Sequence, residues 1–248
     1  MTKADLESLQ IERDLVDLNN AVLTVTGRLV DASNATLYAM CSVKSSGEDR
    51  EFPCIYKPIA GERPLWDFPD GSLANREYLT FLVSHWLKLH LVPPTILRDG
   101  PYGTGMVQKW IDIDPDIELM DFYQSNDPKL RLLAILDIIC NNTDRKIGHL
   151  IPVVGGHLYG CDHGVTFHVD DKLRTVLWQW AGAQFTEEEK TLFIQARELF
   201  TVSKREIIAG LIDEDEISAT IARIDRALVE ESFPLPNPDW PAVPWPPF

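Results

Sequence analysis

The hydrophobic period of this chain changes near residue 72, and that change restricts the folds open to it. Residues 23–30 (LTVTGRLV), 36–43 (TLYAMCSV) and 51–58 (EFPCIYKP) alternate in polarity and are rich in β-branched side chains. The polar turns 31–34 (DASN) and 45–49 (SSGED) separate them, so they read as three strands joined by reversals. From Ser72 onward Leu79, Leu82, Val83, Trp86 and Leu87 recur at the three-and-four spacing of one helix face, until Val92-Pro93-Pro94 ends the helix. TILRD (95–99) and GMVQKWI (105–111) flank a Gly-Pro-Tyr-Gly turn and read as a further hairpin. Strands grouped first and helices grouped later predict an α+β fold with a small antiparallel sheet at its amino-terminal end.

The remainder reads as mainly helical. KLRLLAILDIICN (129–141) follows Asp127-Pro128, and Thr186 with Glu189, then Ser203 with Glu206, match the capping-box pattern ahead of two further helices. A chain of 248 residues is long enough for two lobes sharing a cleft. The expected organisation is an amino-terminal lobe over 1–108 with a sheet and one long helix, a helical lobe over 109–233, and a tail over 234–248. That tail holds seven prolines with Trp240 and Trp245, a composition suited to neither helix nor central strand. Two roles fit it: packing its tryptophans on the carboxy-terminal lobe, or offering a polyproline ligand to a protein partner.

Charge and cysteine content narrow the function. Lys and Arg number 23 against 38 Asp and Glu, a net charge of −15 that repels nucleic-acid backbones and anionic lipid surfaces. The cysteines at 41, 54, 140 and 161 form no C-x-x-C pair, which argues against a zinc ribbon or a thioredoxin-like motif. The first residues carry no apolar signal region, and no run of about 18 uncharged apolar residues occurs. A cytoplasmic protein without a membrane span is expected.

The densest chemistry lies in the segment 142–164, NTDRKIGHLIPVVGGHLYGCDHG. A two-residue hairpin turn at Gly155-Gly156 sets His149 opposite Asp162, at the cross-strand spacing of about 4.5–5.5 Å between Cβ atoms that suits shared coordination of one cation. Asp144 lies five residues upstream of His149 and can curl back to the same place. Four of the six histidines, at 149, 157, 163 and 168, fall in or just after this segment, so a transition-metal site stands beside a magnesium site. Strand alternation turns His157 and His163 away from Asp162.

The stretch 136–145 (LDIICNNTDR), followed by Leu150-Ile151 and later by Asp162-x-Gly164-x-x-Phe167, resembles the catalytic and metal-binding loops of type II phosphatidylinositol 4-kinases. More broadly, residues 20–230 look like phosphatidylinositol 3- and 4-kinase-like proteins of bacteria. The resemblance implies a bilobal, protein-kinase-like fold that binds ATP with Mg2+ or Mn2+. Residue by residue, Asp144 matches the catalytic aspartate that orients or deprotonates the acceptor hydroxyl, and Asp162 matches the aspartate holding metal against the phosphates. His149 stands where the family has asparagine, and imidazole favours softer cations than magnesium. Lys57 matches the phosphate-binding lysine, with Glu77 as its ion-pair partner. Ser33 and Asn34 sit where such kinases place the loop over the phosphates, alongside a reading of the same residues as an ordinary turn. Gln108 to Trp110 match the adenine-facing hinge.

The resulting expectation is an ATP-dependent phosphotransferase acting on a hydroxyl of a soluble small molecule or protein, with an inositol lipid disfavoured by the charge. Such scaffolds also transfer nucleotidyl groups. The alternatives are a nucleotide-binding regulatory pseudokinase, consistent with His149 and the missing glycines, and a metal-dependent hydrolase built on the His149/Asp162 region.

Overall fold

In a computed structural model, residues 3–29, 34–44 and 49–248 are described. The chain opens with helix α1 (Lys3–Asn20) and then builds strands β1 (Val22–Arg28), β2 (Leu37–Val43) and β3 (Arg50–Pro58). Helix α2 (Leu73–Trp86) precedes β4 (Thr95–Gly100) and β5 (Gly103–Lys109). The five strands form one antiparallel sheet in the order β1-β2-β3-β5-β4. The strands expected from alternation are present. Helix α1 is an addition: Ile11, Leu15 and Leu18 recur along it at the spacing of one helix face, and Ile11 and Leu18 are buried.

Alternation along β3 sorts its side chains between the two faces of the sheet. Cys54 and Tyr56 point into a cluster with Leu18, Leu23, Ala39 and Val107. Ile55 points the other way, onto Ala74 of α2 and Met106. Lys57 shares the face of Ile55 and therefore emerges beside α2. The neighbouring strand must pass very close here: a Cβ on Gly105 would lie 2.4 Å from the Lys57 carbonyl oxygen, so only glycine fits.

Beyond β5 lie α3 (Leu119–Phe122), α4 (Pro128–Cys140), the short strands β6 (Leu150–Pro152) and β7 (Leu158–Gly160), α5 (Glu187–Glu198), α6 (Arg205–Ala209) and α7 (Glu214–Glu230). Leu130, Leu133 and Ile139 of α4 form one core with Phe193, Ile217 and Ile224. Arg76 joins α2 to this part by donating to Glu216 and, at 2.6 Å, to the Thr166 carbonyl. The capping box of Thr186 and Glu189 forms. The one expected at Ser203 and Glu206 does not: residues 199–203 make a π-helical turn, and the Ser203 hydroxyl is spent on Glu198. Asp213 and Glu216 supply a capping box for α7 instead.

The tail lacks regular secondary structure and lies against the loops that follow α4. The Ala242 carbonyl accepts from the Thr175 amide at 3.0 Å and from Trp178 Nε1 at 2.8 Å, while Pro247 O accepts from the Ile147 amide at 2.8 Å. Among the described residues no helix is long and apolar enough to cross a membrane.

Candidate active site

Lys57 is the centre of the site. Its Nζ donates to Glu77 Oε1 at 2.6 Å and to Asp162 Oδ1 at 2.7 Å, tying β3, α2 and the loop after β7 to one atom. Burial alone would depress the lysine pKa, but the charges of Asp162 and Glu77 outweigh it and hold the ammonium above its ordinary range. The second Glu77 oxygen accepts the His163 amide at 2.8 Å. Glu77 therefore orients the loop as well as the lysine.

Asp144 is placed by the end of α4. Asn141 takes a left-handed conformation (φ 51°) that stops the helix, and Asn142 Oδ1 accepts the Asp144 amide at 3.0 Å. Lys146 Nζ lies 3.3 Å from Asp144 Oδ2, and Arg174 Nη2 lies 3.4 Å from Oδ1. Desolvation raises the Asp144 pKa against the opposing pull of Lys146, which makes this carboxylate a better proton acceptor than an exposed aspartate.

Beneath it, Arg145 is fully buried, pairs with Asp137 Oδ1 at 2.9 Å and donates to the Cys161 carbonyl at 2.9 Å. Its Nη2 is 2.5 Å from His163 Nε2. Burial lowers the His163 pKa well below its usual value, so this ring is neutral and accepts from the guanidinium. One side chain thus braces both acidic loops. The sequence displays Arg145 beside Asp144 and eight residues after Asp137, but the brace is completed only where the loop after β7 brings the Cys161 carbonyl and His163 to the same guanidinium.

The hairpin corrects the expected register by one residue. Leu150 pairs with Gly160 and Pro152 with Leu158, and Val153 bonds His157 around a three-residue loop, 154–156. Both glycines have positive φ, 90° and 80°, but they fill the last two places of that loop and are not a two-residue turn. His149 consequently faces Cys161, whose amide donates to the His149 carbonyl at 3.1 Å. A slip of one residue would turn Asp162 away. It does not, because the strand has ended and Asp162 itself adopts a left-handed conformation (φ 59°) that swings its carboxylate back. His149 Nε2 and Asp162 Oδ2 end 3.5 Å apart.

Two cavities meet at Lys57 and Asp162. One, of about 410 Å3, lies under the end of β5, with Ile55, Trp110, Ile113, Ile151 and His149 on its walls. The other, of about 460 Å3, contains Asp144, Glu77, Arg63, Arg174, Trp66 and Trp240. Gln108 lines the smaller cavity, but its side chain is buried and donates to Thr95 Oγ1 at 2.9 Å. Asn34 borders the larger one, where its Oδ1 accepts the Arg63 amide at 2.9 Å. Ser33 lies outside the described residues. The loop 61–71 was not anticipated as part of the site; its Pro, Leu and Trp residues carry no spacing that distinguishes a binding wall from a surface turn.

The remaining histidines do not gather around Asp162. His157 Nε2 meets the His90 carbonyl at 2.8 Å, and His168 Nε2 lies 3.3 Å from Lys172 Nζ. Among the described residues no three His, Cys, Asp or Glu side chains form a group that could hold a metal ion. Asp162 with His149 still suits a cation whose other ligands come from a nucleotide, since magnesium sites commonly use one or two protein carboxylates plus phosphate oxygens. Burial pushes the His149 pKa down to about 4, leaving a neutral ring next to that carboxylate.

Protein Rv2133c of Mycobacterium tuberculosis is 39% identical to this chain over 266 aligned positions, covering 93% of this chain and 94% of that protein. The crystal structure of the Helicobacter pylori proinflammatory kinase CtkA superposes with a TM-score of 0.48 at 12% sequence identity, over 87% of this chain and 97% of that one. No protein-family model matches the chain.

Proposed function

The chain belongs to the family of the mycobacterial protein Rv2133c, and we propose that it is an ATP-dependent phosphotransferase with a kinase-like pair of lobes, acting on a hydroxyl of a soluble acceptor. The observation that carries this reading is the position of Lys57. It bridges Glu77 and Asp162 where two cavities join, and Asp144 stands in only one of them.

The smaller cavity has the apolar walls that a nucleobase needs, with Ile55 on the sheet side and Ile151 opposite. A nucleotide seated there directs its phosphates toward Lys57, whose ammonium offsets their charge. Asp162 and His149 would hold a divalent cation, which when bound neutralises further phosphate charge. Asp144 acts from the other cavity. In transfer, the bond from the γ-phosphorus to the bridging oxygen breaks, a bond to the acceptor oxygen forms, and Asp144 takes the hydroxyl proton. Lys146 and Arg174 fix the two Asp144 oxygens, so the accepting lone pair is presented in a set direction.

Calorimetric titration with ATP in the presence of Mg2+ or Mn2+, followed by mass analysis of turnover products with a panel of hydroxyl compounds, tests this reading. The expected result is saturable binding that Lys57→Ala weakens. Wild-type protein that binds no nucleotide with either cation would overturn it.

A further inference from the structure

The larger cavity contains five carboxylates, Glu62, Asp67, Glu77, Asp144 and Asp162. Each already has a partner. Glu62 accepts the Leu73 and Ala74 amides at 3.0 and 2.8 Å, capping α2, and Asp67 pairs with Lys172 at 2.9 Å. Glu77 and Asp162 share Lys57, while Asp144 lies between Lys146 and Arg174.

The cations lining the cavity differ. Lys57 is committed, but the exposed Arg63 guanidinium has no hydrogen bond or ion pair among the described residues. Arg174 spends Nε on the Thr143 carbonyl at 2.6 Å and Nη2 on Asp144, which leaves Nη1 without a partner among the described residues. The five carboxylates are balanced in formal charge by Lys57, Arg63, Arg174, Lys146 and Lys172, and the donors left over among the described residues are guanidinium N–H groups. The Arg174 guanidinium and the Arg63 backbone are anchored. Arg174 is fixed by Thr143, and the Arg63 amide by Asn34 Oδ1. Trp66, Leu65 and Phe68 supply apolar wall around them, and about 460 Å3 is enough for a small metabolite.

We propose that the hydroxyl acceptor is itself an anion, and that Arg63 and Arg174 bind its carboxylate or phosphate group in the larger cavity. Arginine suits this task because its fork matches two oxygens of such a group at once. Arg174 touches Asp144, so an anion on Nη1 sits within a few bonds of the position the reacting hydroxyl takes. A phosphorylated or carboxylated alcohol has that shape. This inference rests on the phosphotransferase reading, because it divides the two cavities between nucleotide and acceptor.

The test uses inorganic phosphate as probe, titrated into full-length protein already saturated with AMP-PNP and Mg2+, with binding followed by intrinsic tryptophan fluorescence and calorimetry. Wild type should bind phosphate saturably. Arg63→Gln and Arg174→Gln should each weaken that binding about tenfold, the loss expected for one charge-assisted pair. Arg63→Gln should leave AMP-PNP affinity intact. Arg63 is exposed, so that variant folds, and circular dichroism confirms it. Phosphate binding equal in wild type and Arg63→Gln overturns the proposal. So does a wild type that refuses phosphate while Arg63→Gln loses AMP-PNP affinity, since the guanidinium then serves the nucleotide. If AMP-PNP itself fails to bind wild type, the phosphotransferase reading falls, and the same titration on free protein then decides whether an Arg63-dependent anion site stands without it.

Discussion

Lys57 and Glu77 form an ion pair of 2.6 Å in which the carboxylate side chain is only 2% exposed. Removing the lysine leaves a buried acid with a single backbone donor, the His163 amide. Lys57→Met should lower the unfolding free energy by about 3 kcal/mol, as expected for breaking a buried pair from one side. The double variant Lys57→Met with Glu77→Gln should recover part of that loss. Urea denaturation of the two single variants and the double variant measures the coupling, and strict additivity would show that the pair contributes nothing beyond its separate groups.

Asp144 and Asp162 should separate by the step they affect. Asp144→Asn keeps shape and removes the proton acceptor, so transfer is lost by about a hundredfold or more while nucleotide affinity holds. Asp162→Asn uncovers phosphate charge already present in the ground state, so metal-dependent ATP binding weakens first. Calorimetry on both variants, set beside product formation, gives the comparison; equal loss of binding in the two contradicts these roles.

The tail's carbonyls offer a third measurement. Ile147 and Thr175 donate their amides to Pro247 and Ala242, and Thr175 sits on the segment bridged to Arg145. Deleting residues 240–248 leaves these donors to solvent next to the loop that carries Asp144. Amide hydrogen exchange at Ile147 and Thr175 should rise by about tenfold or more, with smaller change in the sheet. Unchanged protection at both positions would mean that the tail does not hold the loop.

Much of the sheet was legible because alternation is a direct record of which face each residue takes, and β3 places Lys57 as that pattern implies. The meeting of His149 with Asp162 was legible too, though through a different register. The turn residues identify a hairpin but do not fix its loop length, and the backbone conformation of Asp162 restores the contact that the slip removes. Helix α1 carries a legible stripe at Ile11, Leu15 and Leu18 that the strand pattern after it overshadowed, and the Ser203 cap failed because a π-helical turn claimed that segment. The Arg145 brace and the Arg63 loop were not legible for a different reason. Both depend on groups brought together from separate elements, and no spacing in one segment encodes them.

Cys161 provides a check that does not depend on the acceptor. It is half-buried on the wall of the smaller cavity, and desolvation, reinforced by Asp162, pushes its thiol up to about 12. The thiolate is the reacting form, so at pH 8 only about one molecule in ten thousand presents it. The folded protein should therefore resist iodoacetamide at pH 8, and the rate should climb about tenfold for each pH unit between 8 and 10. Unfolding in urea returns the thiol to its ordinary range and should make it react at once. Peptide mass analysis of the alkylated chain reads this site separately from Cys41, Cys54 and Cys140, which are fully buried. Rapid labelling of Cys161 in the native protein at pH 8 would mean that solvent reaches the thiol and that it is not desolvated on the wall of the smaller cavity.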